Sequence, residues 1–295
     1  MIMNLIKATL AVDVGASKIA AALVGADFKI LHEIAKPARQ SLYGHADPEL
    51  ALTKAIILEL LAVAKSQRIE VVKGGACFAE YVTPEQELNS KDQIAWSIQP
   101  KQDFADLTGF TWVIESDVRA MALAEVRASG LKDFLFVTIS SGISHALVIN
   151  GKPWAGATGE AIGFGITQID NSKESPTLEQ FSSGLGIARR YQHVVLKDIE
   201  SAEIVFANYN EDKFAKEVID SAATLLGKSM AAMVDYLDPA KIVIGGGLWL
   251  GSELYRNLVL ASYEKNATKR RKAPEVINSV SGVKAAVIGA AIAAS

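Results

Sequence analysis

The chain has 295 residues, half of them hydrophobic and 21% charged, with a formal net charge of −3. At roughly 100–200 residues per domain this predicts about two domains, and the apolar share excludes a disordered or low-complexity chain. The near-balanced charge disfavours a nucleic-acid binder, since Lys269–Lys272 is the one basic run. Only 7% of residues are aromatic, so the core must be built mainly from small aliphatic side chains. The single cysteine, Cys77, allows no internal disulfide and no cysteine-based zinc cage, and reads as a small core residue. There is no secretory pattern and no stretch of about 20 apolar residues, so a cytoplasmic protein without a membrane span is expected.

In chain order, residues 9–14 form a short apolar run ending in Asp13-Val14-Gly15, and residues 17–24 resume as a second one. Both read as strands, with 28–35 completing a meander. The turn between the first two carries Gly15, Ser17 and Lys18, which together offer backbone N–H, hydroxyl and ammonium donors to phosphate oxygens. Asp13, at the strand end, is placed to hold a hydrated Mg²⁺ beside them. An ordinary hairpin turn also favours Asp and Gly. Residues 48–66 carry apolar side chains at helical spacing, and 71–78 and 111–114 read as strands. The second of these runs through Glu115-Ser116-Asp117 into a helix over 118–128, the kind of junction where an α/β sheet places reactive groups. An aspartate just before a helix serves equally well as its N-cap.

Near 128–133 a second set begins. Residues 134–139 form a strand, Ser140-Ser141-Gly142 a turn, and 146–149 another strand before Asn150-Gly151, a strong hairpin signal. Each half therefore opens on strand, polar glycine-bearing turn, strand. The Ser140–Gly142 turn suits a second backbone cradle for phosphate, although a plain turn has the same composition. Helices are predicted over 178–192 and 214–236, Pro239 ending the latter. Residues 241–244 form a strand running into Gly245, Gly246 and Gly247, which let a flat ligand such as adenine lie against the backbone. An Ala-rich helix from 283 closes the chain. Neither a P-loop nor a G-x-G-x-x-G fingerprint occurs.

The order of these elements resembles the actin-like ATPase and sugar kinase superfamily, and within it the ROK family (repressors, open reading frames, kinases). Asp13, Gly15, Ser17 and Lys18 match that family's D-x-G-x-[ST]-K. The run from Ile114 to Glu125 is similar to its E-N-D-A-N-A-A-A-L-A-E, with Asp117 on the catalytic aspartate, and the likeness extends to the final Ile288-Gly289-Ala290-Ala291. The departures are as informative. The cysteine-rich zinc knuckle is absent, so no zinc site is expected. Ser116 and Arg119 replace both asparagines of N-D-A-N. Gly159-Glu160-Ala161-Ile162-Gly163-Phe164 stands where G-E-I-G-H is usual, with Gly163 opposite the glutamate and no histidine following.

The resemblance implies an α/β protein of two actin-like (ribonuclease H-like) domains with a central cleft. The domains are placed at 1–128 and 129–282, with the terminal helix 283–295 packing back on the first. It further implies a homodimer that uses ATP and Mg²⁺ to phosphorylate a hydroxyl of a sugar or sugar derivative. Asp117 would be the general base. Asp13, Gly15, Ser17, Lys18, Ser140, Ser141, Gly142 and Gly245–Gly247 would hold Mg²⁺ and nucleotide, and Ser116, Glu160 and His145 are the candidate substrate contacts. The alternative is a catalytically silent sugar- or nucleotide-sensing relative. A repressor is not expected, because the residues before the first strand cannot hold a helix-turn-helix.

Overall fold

The computed structural model describes residues 5–38, 45–170, 172, 174–199 and 201–295. The chain divides into two compact units. The first holds the residues up to Leu131, the loop Gly151–Ala161 and the tail Val280–Ser295; the second holds Lys132–Asn150 and Ile162–Ser279.

The first unit opens with β1 (Ile6–Val14), β2 (Lys18–Gly25) and β3 (Ile30–Pro37), an antiparallel meander. After the short β4 (His45–Ala46) and helix α1 (Ala51–Ser66), β5 (Ile69–Phe78) lies parallel to β1. Beyond β6 (Ile94–Ala95) and α2 (Pro100–Thr108), β7 (Trp112–Ser116) lies parallel to β5 and leads directly into α3 (Asp117–Ser129). The sheet order is β3-β2-β1-β5-β7.

The second unit repeats the opening with β8 (Phe134–Ile139) antiparallel to β9 (Ile143–Ile149). Asn150 and Gly151 both take positive φ, 53° and 76°, as their dipeptide signalled. The chain then passes through β10 (Lys152–Pro153) and the loop to Ala161 before continuing with α4 (Leu178–Ser182), α5 (Gly184–Val195), α6 (Ala202–Ala207) and α7 (Lys213–Leu237). Next come β11 (Lys241–Gly245), α8 (Gly247–Gly251), α9 (Glu253–Asn266) and β12 (Glu275–Asn278), and finally α10 (Ala285–Ala293) of the first unit. Within the second unit the strands run β9-β8-β11-β12, with β11 parallel to both β8 and β12.

The alternation of side chains across the first sheet separates two cores. Leu10, Val12, Ala76, Phe78, Trp112 and Ile114 pack with Ile56 and Leu60 of α1 and Phe104 of α2. The opposite face carries Ala11, Ala20, Ala22 and Cys77 against Ala120 of α3 and Val287, Ala290 and Ala291 of α10. This second face is where the chain's small residues are used. A Cβ on Gly75 would lie 2.0 Å from the Ala290 carbonyl oxygen, and one on Gly289 would lie 1.8 Å from that of Ala120. Backbone meets backbone there, and larger side chains would hold the layers apart.

Two differences from the sequence reading have local causes. The helix expected over 178–192 is broken at Ser183, whose backbone is extended (φ −77°, ψ 170°) and whose hydroxyl caps α5 by accepting from Gly186 N–H. The loop 151–161, placed by sequence after the 128/129 division, lies in the first unit, where Arg119 donates a hydrogen bond to the Gly159 carbonyl at 2.8 Å.

Candidate active site

In the first unit the strand register sets the geometry. Asp13 pairs with Cys77 and Cys77 with Glu115, so the three form a row across β1, β5 and β7. One spacing is about 4.8 Å, which puts β1 and β7 about 10 Å apart. Asp13, on β1, and Asp117, just after β7, thus stand at the same C-terminal edge of two parallel strands that flank β5, the edge where open α/β sheets bind ligands. The Cys77 thiol points at Asp13 Oδ1 (3.7 Å) and the Ala286 carbonyl (3.5 Å). Its own ionisation is pushed well up by burial, then by the charges of Asp13 and Asp117, so it remains a neutral donor between the two carboxylates.

Burial raises the Asp13 carboxyl from 3.8 to about 6, against the opposing pull of Lys18 and the Cys77 hydrogen bond. The turn that follows is closed by Gly15 N–H donating to the Lys18 carbonyl at 3.1 Å, with Ser17 and Lys18 exposed. Asp117 is the first residue of α3, and its Oδ1 accepts from Val118 N–H at 2.6 Å. The N-cap is Ser116, whose hydroxyl accepts from Arg119 N–H at 3.4 Å. The capping role considered for Asp117 belongs to its buried neighbour, which leaves the Asp117 carboxylate at the positive end of the helix dipole. Glu160 is exposed and accepts from Asn89 Nδ2 at 3.2 Å.

In the second unit, Gly245 pairs with Thr138 on β8, which brings the glycine exit of β11 beside the Ser140 turn. Gly246 has φ 96°, and a Cβ there would meet the Ile139 carbonyl oxygen at 2.4 Å, so only glycine fits. At Gly247 the missing Cβ would be 3.5 Å from Ser140 Oγ. The turn closes on Ser140 N–H donating to the Gly142 carbonyl at 2.8 Å. The structure adds groups that the sequence reading did not single out. Gly184 N–H, at the start of α5, donates to the Ser140 carbonyl at 2.8 Å, and Glu179 accepts from Ile143 N–H at 2.7 Å. The signal for the first was Ser183-Gly184-Leu185-Gly186 inside an otherwise helical run; Glu179 carried none.

His145 also lies in the second unit. Its Nδ1 accepts from Phe164 N–H at 3.2 Å, its ring packs edge-on to Phe164, and burial lowers it to about 4, so the imidazole is neutral near pH 7.

Among the described residues no group of three or more His, Cys, Asp or Glu side chains is arranged to hold a metal ion. A magnesium ion carried by nucleotide phosphates needs only one or two carboxylates, the rest of its shell being water and phosphate. Asp13 fits that need: it is a desolvated carboxyl, with Lys18 the one cation opposing its raised pKa.

A sequence model of the ROK family matches residues 9–295. The N-acetylmannosamine kinase of Shigella boydii serotype 18 is 28% identical over 263 residues, 85% of this chain and 86% of that protein. Among solved structures, a ROK hexokinase from Thermus thermophilus superposes with a TM-score of 0.80 at 21% identity, covering 97% of both chains. A ROK family glucokinase from Streptomyces griseus, in complex with glucose and AMPPNP, gives 0.80 at 24% identity, covering 97% of this chain and 99% of that one.

Proposed function

The chain belongs to the ROK family, and from that footing we infer that it transfers the γ-phosphoryl group of ATP to a hydroxyl of a sugar or sugar derivative, with Asp117 as general base. It is a sugar kinase of the two-domain α/β type. The observation that carries the assignment of roles is the shared sheet edge: Asp117 begins α3 at the end of β7, two strands from Asp13 and the Lys18 turn.

Phosphoryl transfer demands alignment and charge neutralisation more than covalent help. Asp117 takes the proton of the acceptor hydroxyl as its oxygen bonds to the γ-phosphorus, while the bond to the β–γ bridging oxygen breaks and ADP leaves. Its Oδ1 is fixed by Val118 N–H, which sets the plane of the carboxylate. Asp13 would hold a magnesium ion, which would supply charge neutralisation to the phosphates. Ser17, Lys18 and the Gly15 turn bind phosphate oxygens. In the second unit, Ser140–Gly142 with the start of α5 binds the remaining phosphates, and Gly245–Gly247 provides a flat wall for adenosine. Glu160 serves the acceptor, while Ser116 is fully buried as the cap of α3. Homodimerisation and a cytoplasmic location belong to the same reading, supported by the family resemblance.

A coupled assay of ADP release across hexoses, amino sugars and polyols tests the reading, with N-acetylmannosamine as first probe because the Shigella relative is named for it. At least one sugar should stimulate release by about 10²-fold or more over water. Nucleotide binding without stimulation by any hydroxyl compound would favour the silent sensor instead.

A further inference from the structure

Arg119 occupies a position where the family pattern carries asparagine, and its side chain is 2% exposed. Its guanidinium makes three hydrogen bonds to three separate stretches of chain. Nε donates to Glu115 Oε1 at 2.5 Å, at the end of β7. One terminal nitrogen donates to the Gly159 carbonyl at 2.8 Å and the other to the Val82 carbonyl at 2.7 Å. A planar fork of fixed donors can meet three such acceptors together, which a lysine ammonium on a flexible stem cannot. The two carbonyl-bearing segments also touch. Gly159 has φ 89°, and a Cβ on it would lie 2.0 Å from the Val82 carbonyl oxygen.

The next residue is Glu160, held by Asn89 at 3.2 Å. Asn89 is in turn fixed through its N–H to the Tyr81 carbonyl at 2.8 Å, one residue before Val82. Asp117 sits two residues before Arg119 on the first turn of the same helix. One buried cation thus joins the segment bearing Asp117 to both segments that bear the Glu160–Asn89 pair, all within the first unit.

We propose that Arg119 is a positioning residue that fixes the Glu160–Asn89 pair relative to Asp117, and that this pair reads the hydroxyl donors of the acceptor. The second clause rests on the kinase reading above; the first does not. With the pair held by its backbone, acceptor recognition depends on a residue that itself never touches the acceptor, and it tolerates the loss of the family's usual Glu and His at Gly163 and after Phe164.

Arg119→Lys, Gly159→Ala and Glu160→Gln separate the clauses. Amide hydrogen exchange reads the tie directly. In Arg119→Lys, exchange at residues 159–161 should rise by about tenfold while amides in the middle of α3 keep their rates. With N-acetylmannosamine as probe sugar, KM for the sugar should rise by about tenfold in Arg119→Lys and in Glu160→Gln, with kcat and KM for ATP within about twofold of wild type. The double variant should be no worse than either single one, because both remove the same contact. If Arg119→Lys fails to fold, Gly159→Ala displaces the same loop from Val82 while keeping the Arg119 side chain itself, and should reproduce the rise in KM. Wild-type exchange at 159–161 in both Arg119→Lys and Gly159→Ala would overturn the tie. A Glu160→Gln variant with wild-type KM would overturn the acceptor role. A wild-type protein that shows the exchange contrast yet phosphorylates no sugar would uphold the tie and count against the kinase reading alone.

Discussion

Asp13 carries its charge in surroundings that oppose it. Its folded pKa of about 6 lies above the ordinary 3.8, so between those values the native state holds a proton that the unfolded chain has released. Stability from the protonated carboxyl is complete below about pH 3.8 and is lost as pH rises towards 6. Asp13→Asn should therefore melt higher than wild type at pH 7, by about 1–2 kcal/mol of stability, and match it at pH 3.5. Magnesium needs the ionised form, so the affinity of wild type for Mg²⁺–nucleotide should fall by about tenfold per pH unit below 6, measurable by titration calorimetry. Ser116→Ala removes a cap whose hydrogen bond is long, 3.4 Å, so its cost should sit at the low end of the range, about 0.5–1 kcal/mol in denaturant unfolding.

Residues 134–139 were legible as a strand because their apolar run is flanked by polar turns, and Asp13 and Asp117 stood out because each ends a strand. The capping residue and the clasp of Arg119 were not legible: one-residue offsets at a helix start and contacts 37 to 40 residues away leave no local pattern.

Among elements, α10 is the one most exacting about side-chain size. Its Gly289 faces the Ala120 carbonyl of α3, and its Ala290 carbonyl faces Gly75 of β5. Gly289→Ala or Gly75→Ala should each destabilise by about 1–3 kcal/mol, since neither backbone can yield without opening the layer. Gly109→Ala, whose added methyl would meet nothing within 4 Å, should cost only the strain of its φ of 78°, about 1 kcal/mol. A shift in urea midpoint at constant slope checks all three. The break at Ser183 was hidden from sequence because Leu178 to Tyr191 keeps a helical apolar spacing across it. What divides the run is the docking of Gly184 N–H on the Ser140 carbonyl, a contact made only once β8 and its turn are in place.

For the molecule as a whole, the repeated hairpin of β1–β2 and β8–β9 was visible in the sequence as two polar glycine-bearing turns at matching places. The assignment of 151–161 to the first unit was not, because it depends on Arg119, Val82 and Gly159 meeting in space. The tail Val280–Ser295 covers Cys77 and is anchored where Val280 and Ser281 N–H groups donate to the buried Glu125 carboxylate, each at 3.1 Å. Removing residues 283–295 should therefore make Cys77 react with a thiol reagent about 10²-fold or more faster than in the intact chain.

The most direct measurement is the rate of sugar-dependent ADP formation by Asp117→Asn. Because Ser116 supplies the cap, the variant should keep its fold and bind Mg²⁺–nucleotide as wild type does, while turnover falls by about 10²–10⁴-fold. An Asp117→Asn protein that phosphorylates the same sugar at the wild-type rate would contradict the assignment of this carboxylate as the base.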